Sequence, residues 1–201
     1  MIIEIRKLTA MLTNDYLNFF DMTPHWDNVD EQKCYCVCWC SADHRTETDF
    51  SSAEIRRDLA AQYIQKGLLQ GYLAYYKGQV VGWCNANTKS NCLNCISWLR
   101  FMQPVNTGEA DPNNKVKSVF CFMIAPAAQR KGVATRLLER VIIDATNDGF
   151  ELIETYPKKD FVSLSRDFMG PAAMYKKFGF TVYLELDNGI SIMRKRLKFS
   201  G

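Results

Sequence analysis

The segment from Val116 to Gly149 limits what this chain can become more than any other stretch. It opens on an almost unbroken apolar run, Val119-Phe120-Cys121-Phe122-Met123-Ile124-Ala125, which Pro126 ends. Such a run suits a strand covered on both faces. Val133, Leu137, Leu138, Val141, Ile142 and Ala145 then recur at helical spacing, with Arg136, Arg140 and Asp144 opposite them and Gly149 as a stop. That pattern predicts an amphipathic helix. Between the two lies Gln129-Arg130-Lys131-Gly132-Val133-Ala134. A turn that leads from a strand into a helix N-terminus collects unpaired N–H groups and partial positive charge, so it suits a phosphate. Gly132 lets an anion approach the backbone with no Cβ in the way, and Arg130 and Lys131 add charge beside it.

At 201 residues the chain fits one domain, 1–201, with a core that needs no staples. Its 25 Lys and Arg against 22 Asp and Glu are spread along the chain, which favours a solvated surface over a nucleic-acid footprint. No run approaches the ~18 apolar residues of a membrane span. The alternating start, Met1 to Lys7, lacks a signal-peptide pattern. The expected partners therefore include no nucleic acid and no membrane, and the expected location is the cytoplasm. Eight cysteines in such a chain predict free thiols in a reducing compartment.

Ile2 to Arg6 predicts a first strand, and Thr13 or Asn14 can cap a helix through about Met22. In Cys34-Tyr35-Cys36-Val37-Cys38-Trp39-Cys40 the alternation is strict, so a strand would carry all four cysteines on one face. Like faces repeat every ~6.6–6.8 Å, too far for four thiolates to surround one zinc at ~2.3 Å. No metal is expected, although Cys92-x-x-Cys95 keeps a metal or redox site as an alternative. Ser51 and Glu54 have capping-box spacing ahead of the apolar stripe Ile55, Leu59, Tyr63 and Ile64. Gly71 to Cys84 predicts a hairpin about Lys77-Gly78-Gln79. Cys92, Cys95, Ile96 and Leu99 could form one short helical face, and Gln103 to Asn114 a surface loop of lid-like length. Glu151 to Tyr156 predicts a second buried strand. Pro171 then suits the first position of a brief helix to Phe178. Phe180–Leu186 and Ile190–Leu197 pair as a hairpin across Asp187-Asn188-Gly189.

Gln129-x-x-Gly132-x-Ala134, set after a strand and at the start of a helix, resembles motif A of the GNAT acetyltransferase superfamily. Tyr175-Lys176-Lys177-Phe178-Gly179-Phe180 resembles the Y-x-x-x-G-F ending of its motif B. The likeness covers most of the chain. It looks closest to a subgroup with an N-terminal Cys34-Tyr35-Cys36 segment, a Gly82-Trp83-Cys84 and a long connection from Thr88 to Lys115. The resemblance implies a single-domain α/β GNAT-like fold, a mixed central sheet of about seven strands flanked by helices with a C-terminal β-hairpin. It implies an N-acetyltransferase moving an acetyl group from acetyl-CoA to a primary amine of a small molecule or peptide, by direct attack in a ternary complex. A homodimer is among the expected assemblies. The pyrophosphate would rest on the amides of Arg130, Lys131, Gly132, Val133, Ala134 and Thr135, behind Gln129, while Arg130, Lys131 or Arg136 meets the remaining phosphates. The central strand would diverge from its neighbour near Met123, Ile124 and Ala125, whose backbone would hold the pantetheine arm and polarise the thioester carbonyl.

Tyr175 stands where the family often has its general-acid tyrosine; the alternative is an aromatic packed on cofactor or core. Some relatives carry a glutamate early on the central strand, and Ser118 holds that position here. Glu154, an acid amid Leu152, Ile153, Thr155 and Tyr156, is the substitute base, because burial would raise its pKa toward a useful range. An edge or hydrogen-bonded carboxylate and water-mediated deprotonation are the alternatives. His25 and His44 fall in loop-like surroundings and are read as surface. Phe168-Met169-Gly170-Pro171 stands where many relatives have a cofactor-contacting asparagine, so that role does not carry over. Trp26, Trp39, Tyr72, Trp83 and Trp98 are candidates for an acceptor pocket or for core. A CoA-binding sensor without transferase activity and a cysteine-based metal or redox module are the competing functions.

Overall fold

The computed structural model describes residues 1–25, 28–40, 49–102, 115–160 and 167–198. Among these, seven strands form one sheet: β1 (Glu4–Lys7), β2 (Gly71–Tyr76), β3 (Gln79–Thr88), β4 (Val116–Ile124), β5 (Leu152–Thr155), β6 (Thr181–Glu185) and β7 (Ser191–Arg196). Their order across the sheet is β1-β2-β3-β4-β5-β7-β6. Only β4 and β5 run parallel; the other neighbours are antiparallel. Helices α1 (Thr13–Met22), α2 (Ala53–Gln65) and α3 (Ile96–Phe101) pack on one face, and α4 (Val133–Asn147) and α5 (Ala172–Lys177) on the other. This is the α/β architecture expected, with a mixed sheet between helical layers and a C-terminal hairpin of β6 and β7.

Several local expectations shift by a residue or fail. The cap of α2 is Ser52, which is extended at φ -111 and ψ 156 and whose hydroxyl accepts from Ile55 N–H at 3.1 Å, while the Ser51 amide donates to Asp49 Oδ1 at 2.7 Å. Pro171 is the extended N-cap of α5 and not its first residue. The Cys34–Cys40 stretch is not a strand: it is a tight turn followed by a 3-10 turn at Val37–Trp39. The 103–114 loop lies outside the described residues.

One irregularity positions the site. On β3, Asn85 pairs with Cys121 and Ala86 with Val119, so Phe120 is an extra residue in β4. Such a bulge interrupts the alternation of side chains and bends the strand. Val119 accordingly packs with α4, while Phe120 and Cys121 both join the opposite core and Ile124 returns to the α4 side. The pairing of β4 with β5 ends at Val119 opposite Thr155, at the bulge and earlier than the divergence expected near Met123. Beyond it the far half of β4 has one open edge.

Candidate active site

On that open edge, Phe122 N–H donates to Phe168 O at 2.7 Å. Strand alternation turns Ile124 N–H the same way, whereas Ala125 N–H donates back to Val81 O at 3.0 Å. Within the expected trio of Met123, Ile124 and Ala125, the Ile124 amide is therefore the one aimed into the splay. The carbonyl of Ile124 accepts from Gln129 Nε2 at 3.3 Å, which ties the following turn to the strand end. Arg130 (φ 58) and Gly132 (φ 79) are both left-handed, a conformation that only glycine adopts without cost. Gly132 is the N-cap of α4 and has no side chain to close the helix end. The first bond within α4 runs from Arg136 N–H to Gly132 O at 3.1 Å. The amides of Val133, Ala134 and Thr135 precede it, where a helix leaves its donors unpaired. Exposed Arg130 stands beside them, and exposed Lys131 bonds Ala127 O at 2.7 Å. By its chemistry this donor set fits a pyrophosphate.

Across β4 a cavity of ≈ 990 Å³ opens between the end of the strand, α1 and the cysteine turn. Cys34, Cys36, Cys38, Trp39, Cys121 and Met123 line it. Gln129 and Arg130 border it as well, so the amide cradle and the cavity are continuous. The cysteine turn is held in a costly shape. Tyr35 (φ 44) and Cys36 (φ 52) are consecutive left-handed residues, closed by Val37 N–H to Cys34 O at 3.2 Å. Left-handed backbone costs a non-glycine residue about 1–2 kcal/mol, so neighbours must over-determine it. Tyr16 donates its hydroxyl to Tyr35 O at 2.7 Å, Tyr35 donates its own to Asp21 Oδ1 at 2.8 Å, and its ring stacks on Phe20. Buried Arg56 from α2 donates to the carbonyls of Glu31, Lys33 and Phe50, fixing the chain that enters the turn.

The result is a set of thiols facing β4. Cys36 hydrogen-bonds Cys34 and Cys121 and accepts from Trp83 Nε1 at 3.3 Å. The bond to Cys36 pushes the Cys34 thiol well up from its ordinary pKa; the bond to Cys121 and burial push Cys36 well up against the bonds with Cys34 and Trp83, which lower it; and burial pushes Cys38 up to about 11. All eight cysteines are free, and among the described residues no group of three or more His, Cys, Asp or Glu is arranged to hold a metal ion. Trp39 lines the cavity, while Tyr72, Trp83 and Trp98 are buried core. His25 is not simply surface: it is half-buried and borders the cavity. Trp26 and His44 lie outside the described residues.

Tyr175 is fully buried on α5 and donates its hydroxyl to Met169 O. A Cβ on Gly170 would sit 3.0 Å from that hydroxyl and 3.2 Å from the Phe122 ring, so Tyr175 lies directly behind the segment that touches the open edge. Burial raises its pKa far above the usual value, which keeps the phenol protonated. Glu154 sits elsewhere. It is fully buried, with Oε1 at 2.9 Å from Lys89 Nζ and Oε2 at 2.6 Å from Arg194 Nε. Tyr156 OH donates to its Oε1 at 2.8 Å and lies 2.6 Å from Ser118 Oγ. Both carboxylate oxygens are thus engaged by cations, and Glu154 is not among the described cavity residues. Cys121, Phe20 and Ser97 do border the cavity and carried no sequence signal as site residues. The one hint was the apolar run through Cys121, which concealed the bulge.

The profile of the acetyltransferase (GNAT) family matches residues 29–180. A search by sequence among curated proteins finds no significant match. Solved structures similar in fold include an N-acetyltransferase from Staphylococcus aureus Mu50, 14% identical, covering 98% of this chain and 100% of that one with a TM-score of 0.55. The polyamine N-acetyltransferase of Drosophila melanogaster is 13% identical over 98% of this chain and 100% of its own, with a TM-score of 0.57. The PaiA N-acetyltransferase of Thermoplasma acidophilum, in complex with coenzyme A, is 15% identical over 98% and 99%, with a TM-score of 0.52. At such identities the structures speak for the fold, and the profile, which spans most of the chain, speaks for the family. The bulged central strand, the glycine-capped helix and the matching profile agree, and the chain belongs to the acetyltransferase (GNAT) family and is an acyltransferase.

Proposed function

We propose that the protein is an acetyl-CoA-dependent N-acetyltransferase acting on a primary amine of a small molecule or peptide in a ternary complex. The observation that carries this reading is the continuity of the uncapped α4 end with the cavity, the Ile124 amide lying between them. Gln129 to Thr135 would hold the pyrophosphate, and the Ile124 amide would donate to the acyl oxygen as charge develops there. Bound acetyl-CoA supplies an activated acetyl thioester. Tyr175, kept protonated, is the proposed proton donor to the leaving sulfur, through a small shift of Met169 and Gly170. Glu154 is reassigned from base to structural hub, so water in the cavity is the proposed acceptor of the amine proton. A cytoplasmic location and a homodimer belong to the same proposal. The free thiols suit a reducing compartment, and sedimentation velocity checks the assembly.

Two measurements test it. Acetyl-CoA should raise the melting temperature in proportion to the logarithm of its concentration above Kd, and acceptor amines should release free CoA thiol. Tyr175→Phe should lower kcat by ~10²-fold or more while costing about 1 kcal/mol of stability for the lost Met169 bond. An unchanged kcat would remove Tyr175 from the chemistry. No thermal shift with acetyl-CoA would overturn the whole reading.

A further inference from the structure

The cavity wall has a consistent chemical character. Phe20, Trp39 and Phe101 present rings to it, Trp39 stacked on Phe120 at 4.8 Å and tilted against Phe101 at 6.4 Å. Four thiols, those of Cys34, Cys36, Cys38 and Cys121, share the same wall. Sulfur and aromatic carbon are soft, polarisable surfaces that bind ring faces well. The permanent charge on the described wall is that of Arg130, a cation, on the cradle side. Thr23 and Ser97 add neutral hydroxyls, Asn28 and Gln129 add amides, and His25 adds an imidazole, so none of the polar lining beyond Arg130 carries a negative charge.

From this wall we infer that the acceptor is a primary amine carried on a flat, uncharged aromatic body, and not a polyamine. The inference rests on the N-acetyltransferase reading above and names the substrate class of that same cavity. A second or third ammonium group entering this space would lose hydration against rings and thiols, with no carboxylate among the described lining residues to pair with it; an unpaired buried charge is strongly unfavourable. An aromatic body instead exchanges water for ring and sulfur contacts. The pKa values of Cys34, Cys36 and Cys38 point the same way, since a thiol that stays protonated supplies no negative charge to attract a polycation. The transfer itself is ordinary. The amine nitrogen forms the new C–N bond as the C–S bond breaks, one amine proton goes to water, and one proton reaches the leaving sulfur.

The test is a steady-state comparison of phenethylamine, spermidine and agmatine on the full chain with saturating acetyl-CoA. Phenethylamine should exceed both others in kcat/KM by about 100-fold or more. Trp39→Leu should raise the phenethylamine KM about 10-fold with kcat nearly unchanged. Cys38→Asp, at a half-buried position on the cavity wall, should move the preference toward spermidine. Equal or better turnover of spermidine or agmatine overturns the inference. So does absence of transfer to phenethylamine from a protein that acetyl-CoA still stabilises thermally, an outcome that leaves the cofactor reading standing. Absence of that stabilisation removes both.

Discussion

Gln129 to Thr135 and Cys34 to Trp39 approach the end of β4 from opposite sides, and they are made of different material. The first is backbone. Its working atoms are amides, and its side chains mostly brace the turn, as Gln129 does on Ile124 O and Lys131 on Ala127 O. The second is side chain. Its backbone is forced into two successive left-handed residues so that thiols and a tryptophan can form a wall. A cradle of amides suits a group that is the same in every reaction of its kind. A wall of side chains can change with the acceptor at little cost to the cofactor.

That contrast can be broken experimentally, and the largest effect should come from below both halves. Tyr156 stacks on Phe120, which stacks on Trp39, so a column of rings connects the cavity wall to Glu154. Glu154→Leu would leave Lys89 buried without its carboxylate and should cost about 3–5 kcal/mol in urea unfolding. Glu154→Gln, which keeps the shape, should leave the kcat of the folded fraction close to wild type. A collapse of kcat by ~10²-fold or more would return Glu154 to the role of base.

A smaller effect should come from the opposite end of β4. Burial, and then the charge of Lys7, lower Lys117 from 10.5 to about 8. Between those values the unfolded chain binds a proton that the folded chain does not, so stability rises as pH rises from 8 toward 10.5. Below pH 8 the whole burden is present. Lys117→Met should therefore stabilise the protein at pH 7 by about 2 kcal/mol. That gain should fade by about pH 10.5, as melting curves across pH will show.

The two halves themselves are separated by the next pair. Gly132→Val places a β-branched residue at φ 79, where its Cβ meets no neighbour within 4 Å but the backbone itself is strained. Distortion of the amide cradle by about 1–2 kcal/mol should weaken acetyl-CoA binding roughly 5- to 30-fold and leave the acceptor KM alone. Tyr35→Phe removes one of the bonds that hold the cysteine turn and should cost about 1 kcal/mol. Its kinetic effect should fall on the acceptor KM and leave the acetyl-CoA KM unchanged. If either variant moves both KM values together, the halves are not independent.

The same contrast explains what could be read from the residues beforehand. The strand, glycine turn and helix from Val116 to Gly149 follow from local rules: an apolar run, a φ-permissive residue and a 3.6-residue period. Single strands and the two hairpins followed from such rules, including the Asn188-Gly189 turn, while their assembly into one mixed sheet was what the family resemblance implied. Cys34 to Cys40 has an equally regular alternation, and it misled. Nothing nearby in sequence reveals that Tyr16, Phe20, Asp21 and Arg56 will stabilise a left-handed turn there. For Glu154 a buried base and an edge or hydrogen-bonded carboxylate were both open, because its partners Lys89 and Arg194 come from distant segments, and a lone acid on an inner strand looks the same with or without them. The bulge at Phe120 was equally hidden, because seven consecutive apolar residues have no alternation to interrupt.

That extra residue governs more than a bend. Side chains along a strand switch faces at every step, and the bulge absorbs its extra residue by placing Phe120 and Cys121 on the same face. A chain one residue shorter at Phe120 would therefore still turn Met123 toward the thiols and Ile124 toward α4, and would lose the ring that joins Trp39 to Tyr156. When this chain is aligned with others, a one-residue gap placed at Phe120 keeps both sides of the cleft in register, whereas the same gap placed beyond Ile124 would exchange their occupants.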